Sequence, residues 1–256
     1  MADQGQNRVA ELEAELAALR AEMQDFSYTV SHDLRASLRH ILSYAQLVQE
    51  DAGPLLPQET LGFLNTITDS ARHMGVLMDG LMELTRLGTV ELQIAPTPLL
   101  PLVQDVLAEL RLQYPQRRIE CVLPAALPSV MADATLLRTA LHAVLDNAVK
   151  FSAQQPDARI TLLADPCDAD AADRRAGDTM RLTVQDHGAG FNPALGAKLF
   201  RPFARLHTTK QFPGIGMGLA LTRKIVERLA GKVQAEGVVN GGCTVTITLP
   251  CAGTPG

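Results

Sequence analysis

The chain has 256 residues, 46% of them hydrophobic, and a formal net charge of −5. That is ample apolar material for a core and suggests two domains or one large one. The acidic balance gives no reason to expect nucleic acid or an anionic membrane surface as partner. No apolar run approaches the roughly 18–20 residues that span a bilayer, and the N-terminus has no signal-peptide pattern, so the chain is expected to be soluble and cytoplasmic. Cys121, Cys167, Cys243 and Cys251 are scattered without a CxxC spacing. That fits reduced thiols rather than a disulfide frame or a zinc site.

Residues from about 8 to 51 carry one long helical pattern. Val9, Leu12, Leu16, Leu19, Met23, Phe26 and Val30 alternate spacings of three and four, an a/d seam that predicts a coiled coil. The next seam position would be Asp33. The apolar stripe moves instead to Leu34, Leu38, Ile41, Ala45 and Val48, and two successive four-residue steps make a stutter. His32 lies between seam positions in both frames and is predicted to face outward. Gly53-Pro54 breaks the helix and Pro57 can open the next. Leu61, Leu64, Ile67, Ala71, Met74, Leu77, Leu81 and Leu84 give a second amphipathic helix to about residue 88. So wide an apolar face on a two-helix hairpin predicts dimerisation into a four-helix bundle.

Pro96-Thr97-Pro98 reads as a linker, after which helical and strand periods alternate. Helices are predicted from Leu99 to about Tyr114, from a cap at Asp133 to Phe151, and from Met217 to Ala230. Strands are predicted at 119–123, 159–163, 180–185, near Val233 and at 244–249. This is a two-layer α/β domain with a mixed or antiparallel sheet. The stretch from Asp165 to Asp178 reads as a solvated hairpin loop with no metal role.

Three local patterns in this second domain carry chemistry. Asn147 and Lys150, three apart in Asp146-Asn147-Ala148-Val149-Lys150, share a helix face. An amide oxygen can complete a magnesium shell otherwise filled by phosphates and water, and a lysine can neutralise phosphate. Asp186-His187-Gly188-Ala189-Gly190 ends a strand. Its carboxylate can accept from an exocyclic amino group such as adenine's, while Gly188 and Gly190 let backbone approach a flat ring. Gly214-Ile215-Gly216-Met217-Gly218-Leu219 opens a helix, where free N–H groups and the dipole favour phosphate. Between the last two lies Phe200-Arg201-Pro202-Phe203-Ala204-Arg205, followed by Lys210. The two phenylalanines are expected to anchor a loop, and Arg205 and Lys210 to reach phosphate.

Each pattern alone is weak. Their joint order is specific: His32-Asp33 on a dimerising helix, then Asn-x-x-Lys, Asp-x-Gly-x-Gly, Phe-x-x-Phe-x-Arg and Gly-x-Gly-x-Gly-Leu. It resembles the sensor histidine kinases of two-component systems over about residues 20 to 250, and residues 203–237 look closest to the phytochrome-like branch. The resemblance implies a coiled-coil signalling helix at 1–25, a dimerisation and histidine phosphotransfer domain at 26–90, and a catalytic domain with a Bergerat-type α/β sandwich at 97–252. It implies ATP and magnesium as cofactors, a homodimer, a response-regulator receiver domain as partner, and a sensor domain outside this chain. His32 matches the phosphoacceptor and Asp33 the adjacent acid. Asn147 matches the magnesium ligand, Lys150 a phosphate contact and Asp186 the adenine-reading carboxylate. Arg205 matches the lid arginine, and Gly214, Gly216 and Gly218 the second glycine box.

Four positions depart from the family pattern. Ala143 stands where kinases often carry a second Asn and hydrolysing relatives a Glu base, which argues against a hydrolysing ATPase and leaves open a nucleotide-binding signalling module with weak or lost kinase output. Ala36 stands where phosphatase-competent members often carry Thr or Asn. Ser37 replaces a frequent proline, so the helix is expected to run straighter past His32. His187 occupies a position that is often Asn.

Overall fold

The computed structural model describes residues 2–166, 178–208 and 211–252; before residue 29 it describes the helix backbone and only some side chains. The reading of 165–178 as a hairpin loop falls mostly outside these residues, as does Lys210. The chain divides into two compact units, residues 1–90 and 91–256.

The first unit is a helical hairpin. Helix α1 spans Ala2–Ala52, a 3₁₀ turn spans Gly53–Leu55, and helix α2 spans Gln58–Thr89. Pro54 lies inside that turn and Pro57 is the N-cap of α2. Proline is tolerated at both places because the first N–H groups of a helix lack intrahelical partners anyway. Leu38, Ala71 and Met78 are buried together, with Leu42 packed against them. Ala45 is buried as well, and Arg35 reaches across from α1 to Asp79 of α2 at 2.6 Å. The predicted stripes therefore split. Leu38 and Ala45 face the partner helix, whereas Leu34, Ile41 and Val48 stay exposed, as do Ile67, Met74 and Leu81 on α2. A stripe built on spacings of three and four is wider than one neighbouring helix can cover. Up to residue 30, Leu19, Met23 and Val30 of the predicted seam are exposed, and the side chains of Val9, Leu12, Leu16 and Phe26 lie outside the described residues.

The second unit is the expected α/β sandwich. Its five-stranded sheet runs in the order β2-β4-β5-β7-β6: Arg118–Val122, Asp157–Pro166, Thr179–Asp186, Gly242–Pro250 and Lys232–Val238. The β2–β4 pair is parallel and the rest are antiparallel. Helices α3 (Leu99–Gln113), α4 (Ala134–Phe151) and α5 (Gly218–Arg228) supply the second layer. Every second residue of the central strands points inward: Ile160 and Leu162, then Met180, Leu182 and Val184, then Val245, Ile247 and Leu249, all buried. They share the core with Leu137, Leu141 and Leu145 of α4 and Ile225 of α5. Each such side chain contributes about 1.5–3 kcal/mol by leaving water.

The expected linker is a correction. Pro96-Thr97-Pro98 belongs to strand β1 (Ala95–Pro98), which pairs antiparallel with β3 (Ser129–Ala132), a strand the sequence pattern did not reveal. Proline is admitted where a strand need not donate to a second neighbour. Thr97 is buried between the two prolines, and its hydroxyl donates to Ala132 O at 3.1 Å.

Asp133 follows β3 directly and caps α4. Its Oδ1 accepts from the backbone N–H of Thr135 and Leu136 at 3.0 and 3.1 Å, and its Oδ2 accepts from Gln93 N at 3.0 Å. Asp133→Ala is expected to destabilise this unit by about 1–2 kcal/mol. Urea unfolding of the full chain checks it, and an unchanged midpoint would contradict the role given to the cap.

Candidate active site

The sheet's inward alternation explains how a carboxylate comes to be buried. On β5 the inward positions are Met180, Leu182 and Val184, and the next in phase is Asp186 at the strand's last position. Its side chain is therefore placed under the helical layer. Oδ1 accepts from Gly188 N at 2.8 Å and from Cys243 N at 3.2 Å. Among the described residues both bonds fall on Oδ1, which leaves Oδ2 for the cavity beside it. Burial pushes the Asp186 carboxyl above the usual carboxylate range, against the opposing pull of those two N–H groups.

The loop after Asp186 is fixed from two sides. Gly190 has φ +56°, and a Cβ there would lie 1.8 Å from Val238 O. The turn between β6 and β7 thus sits directly on the loop, and Asn240 N donates to Ala189 O at 2.7 Å. On the other side Ala189 N donates to Phe151 O, the end of α4, at 3.0 Å. His207 Nε2–H donates to Gly190 O at 2.9 Å, which sets its tautomer. Its ring lies 5.6 Å from Phe151 and 5.1 Å from Phe212. Phe212 is only 2% exposed, whereas Phe203 is 38% exposed with φ +61°. The expected anchors were Phe200 and Phe203; Phe200 is half-buried, Phe203 is exposed, and the buried anchor of this segment is Phe212, which has two rings to pack on.

These elements enclose a cavity of about 350 Å³. Asn147 and Lys150 of α4, Asp186 and Gly190 of the strand-end loop, and Arg205 all line it. So do Gly214, Gly216, Gly218 and Leu219, where Gly218 is the first residue of α5. Gly188 is packed beneath the loop rather than in the cavity wall. Arg205 donates through Nη1 to Gly214 O and through Nη2 to Phe212 O at 2.7 Å, so it braces the segment on which these carbonyls lie. Lys150 Nζ contacts Asp146 Oδ2 at 2.8 Å, and Tyr114 Oη donates to Asp146 Oδ1 at 2.6 Å. Sequence reasoning missed Asp146, Tyr114, His207 and Phe212. The four-residue spacing of Asp146 and Lys150 was a usable signal. Tyr114, on another helix, offered none.

The cavity thus has a buried acceptor at one place and, elsewhere, a lysine, an arginine and a helix N-terminus. That combination suits a ligand with a donor-bearing flat group and an anionic tail. No group of three His, Cys, Asp or Glu side chains among the described residues is placed to hold a metal.

His32 and Asp33 lie in the helical unit. Both are well exposed, at 64% and 76%, and His32 Nδ1 is 3.2 Å from Asp33 Oδ1. Such a pair contributes little to stability. Its consequence is orientation: with Nδ1–H donating to the carboxylate, Nε2 presents its lone pair outward. Ser37 Oγ donates to Asp33 O at 3.2 Å, and α1 runs on unbroken through this stretch.

Two family models match. Residues 22–89 match the His Kinase A (phospho-acceptor) domain, and residues 132–253 match the Histidine kinase-, DNA gyrase B-, and HSP90-like ATPase. The chain belongs to the sensor histidine kinases of two-component systems. Its relatives point to their phytochrome-like branch. The phytochrome-like protein Cph1 of Synechocystis sp. is 27% identical over 242 residues, 94% of this chain and 31% of that protein. The circadian input-output histidine kinase CikA of Synechococcus elongatus is 31% identical over 261 residues, 96% of this chain and 33% of that protein. This histidine kinase chain thus spans about a third of the length of these relatives. Among solved structures, full-length ShkA in complex with AMPPNP is similar with a TM-score of 0.62 and 25% identity, covering 91% of this chain and 47% of that one. The second unit holds the family's ATPase domain, matched over residues 132–253, and the cavity is lined by residues of that stretch.

Because burial raises the folded-state pKa of Asp186 above 3.8, the native state holds that proton more tightly than the unfolded chain. Ionising it as pH rises from about 4 to 7 therefore costs stability. Asp186→Asn keeps the Oδ1 acceptor without the charge. Its urea midpoint relative to the parent is expected to rise between those two pH values. A difference that shrinks as pH rises would contradict this account.

Proposed function

We propose that this chain uses ATP to phosphorylate its own His32 and passes the phosphoryl group to an aspartate of a response-regulator receiver domain. The observation that carries this reading is the exposed His32–Asp33 pair, 3.2 Å apart, on a hairpin joined in one chain to an ATPase domain. In this reading Nε2 of neutral His32 attacks the γ-phosphorus in line, the bond to the bridging oxygen breaks, and ADP leaves. Asp33 holds the reactive tautomer and takes the Nδ1 proton as the ring becomes phosphorylated. The phosphoramidate so formed is labile enough for a receiver carboxylate to take the phosphoryl group.

The cavity residues divide the binding of ATP among them. Asp186 reads the adenine amino group through Oδ2. Lys150, Arg205 and the backbone of 214–218 with Leu219 face the phosphates, Arg205 through N–H groups beyond the two that brace the lid. Gly190 lines the cavity, and Gly188 seats the loop against the end of α4. Asn147 offers an amide oxygen for a magnesium ion held otherwise by phosphates and water, which suits a site without an acid cluster. Magnesium there would neutralise charge on the transferring group. Lys210 is proposed as a further phosphate contact on sequence grounds.

The exposed Leu34, Ile41, Ile67 and Met74 support a homodimer whose two hairpins form a four-helix bundle. Cys121 and Cys243 carry free thiols, which suits a cytoplasmic setting. Among the described residues no helix is long and apolar enough to cross a membrane. A second reading, a nucleotide-binding module with weakened kinase output, is favoured by Ala143, which puts only a methyl group in the cavity wall.

Incubation with γ-labelled ATP and magnesium separates the two. Acid-labile, alkali-stable label is expected on the parent and none on His32→Gln. Binding of ATP without any label on the parent would favour the second reading.

A further inference from the structure

We propose that Tyr114 and Asp146 are positioning residues that hold the Lys150 ammonium in place for the phosphates of the nucleotide. This rests on the reading of Lys150 as a phosphate contact.

Asp146 and Lys150 are four apart on α4 and both line the cavity. Their side chains are only 16% and 19% exposed, unlike the loose pairs of helix surfaces. Each carboxylate oxygen of Asp146 has its own donor: Oδ2 takes Lys150 Nζ at 2.8 Å and Oδ1 takes Tyr114 Oη at 2.6 Å. Two bonds to the two oxygens fix the plane of the carboxylate and hence the direction in which it holds the ammonium. A lysine stem is flexible, and among the described residues one of its three N–H groups is used, which leaves two for the cavity. Nζ also lies 3.8 Å from where a Cβ of Gly214 would be, beside the glycine-rich segment that leads into α5.

Tyr114 is itself fixed. It ends α3, with its N–H bonded to Leu110 O at 2.9 Å, and its carbonyl accepts from Arg117 N at 2.9 Å. Arg117 donates through Nη2 to Ser152 O at 2.8 Å and through Nη1 to Ala153 O at 3.0 Å. The end of α3 is thus pinned to the end of α4, which brings the phenol within reach of a carboxylate 32 residues away. A pair serving stability alone would need only the two charges. The added hydroxyl draws on the carboxylate's negative charge and leaves the ammonium more of its own for phosphate. Burial and the neighbouring Asp146 push the phenol pKa up, so it remains a donor.

Titration calorimetry of the full chain with ATP and with adenosine tests the proposal on Tyr114→Phe, Asp146→Asn, Lys150→Met and the Tyr114→Phe/Lys150→Met double variant. Adenosine lacks the phosphates and reports on the rest of the site. Tyr114→Phe and Asp146→Asn are each expected to weaken ATP roughly 3- to 10-fold, the scale of one lost bond to a charged group acting through a neighbour. Adenosine should change less than about twofold, and Tyr114→Phe should add nothing once Lys150 is Met. Equal weakening of ATP and adenosine would reduce Tyr114 to a structural part and overturn the proposal. So would unchanged ATP affinity in Tyr114→Phe alongside a loss in Lys150→Met. Unchanged ATP affinity in Lys150→Met would instead remove the reading of Lys150 on which the proposal rests.

Discussion

The nucleotide site depends on how one helix ends. The last carbonyls of α4 have no partner within the helix and must find donors elsewhere. Phe151 O takes Ala189 N from the loop after β5, and Ser152 O and Ala153 O take the guanidinium of Arg117. The first bond seats the loop that carries Asp186. The second pair fixes α3 against α4. Asn147, Asp146 and Lys150 lie within the last two turns of the same helix, so what completes the helix end also sets the spacing between the acceptor proposed for the base and the groups proposed for the phosphates. Gly188 shows how tight this is: a Cβ there would lie 2.5 Å from Phe151 O and 2.7 Å from its carbonyl carbon, both backbone atoms.

The site is a conflict with stability that the fold tolerates. Asp186 occupies an inward position that β5 otherwise fills with Met180, Leu182 and Val184, and burial there disfavours its charge. Two backbone N–H groups and the turn between β6 and β7 hold it regardless. A residue that costs stability and is held rigidly is what a recognition site asks for. The hairpin unit shows the same logic at its surface. Leu34 and Ile41 remain in water in the single chain, a state that a second hairpin would relieve.

Much of this was legible in the sequence because it is local. Spacings of three and four gave α1, α2 and α4, alternation gave the central strands, and Asp133 marked the cap of α4. Asn147, Lys150, Asp186, Arg205 and the second glycine run could be found because each sits in a short pattern. Less local features were lost. Pro96 and Pro98 read as a linker because the pairing of β1 depends on β3, more than 30 residues away. Phe200 and Phe203 seemed the natural anchors until Phe212 proved to have Phe151 and His207 to pack on. Tyr114 meets Asp146 only because Arg117 joins two helix ends, and no periodicity encodes that.

The most direct test of the helix-end account is ATP binding by Gly188→Ala, measured by titration calorimetry with circular dichroism to verify the fold. Any Cβ at that position must push the loop off Phe151 O and carry Asp186 out of line with α4. ATP affinity is expected to fall at least about tenfold, the effect of losing one well-placed bond to a charged group, while the helix and strand content stays the same. Unchanged ATP affinity in a folded variant would mean that the end of α4 does not position the site.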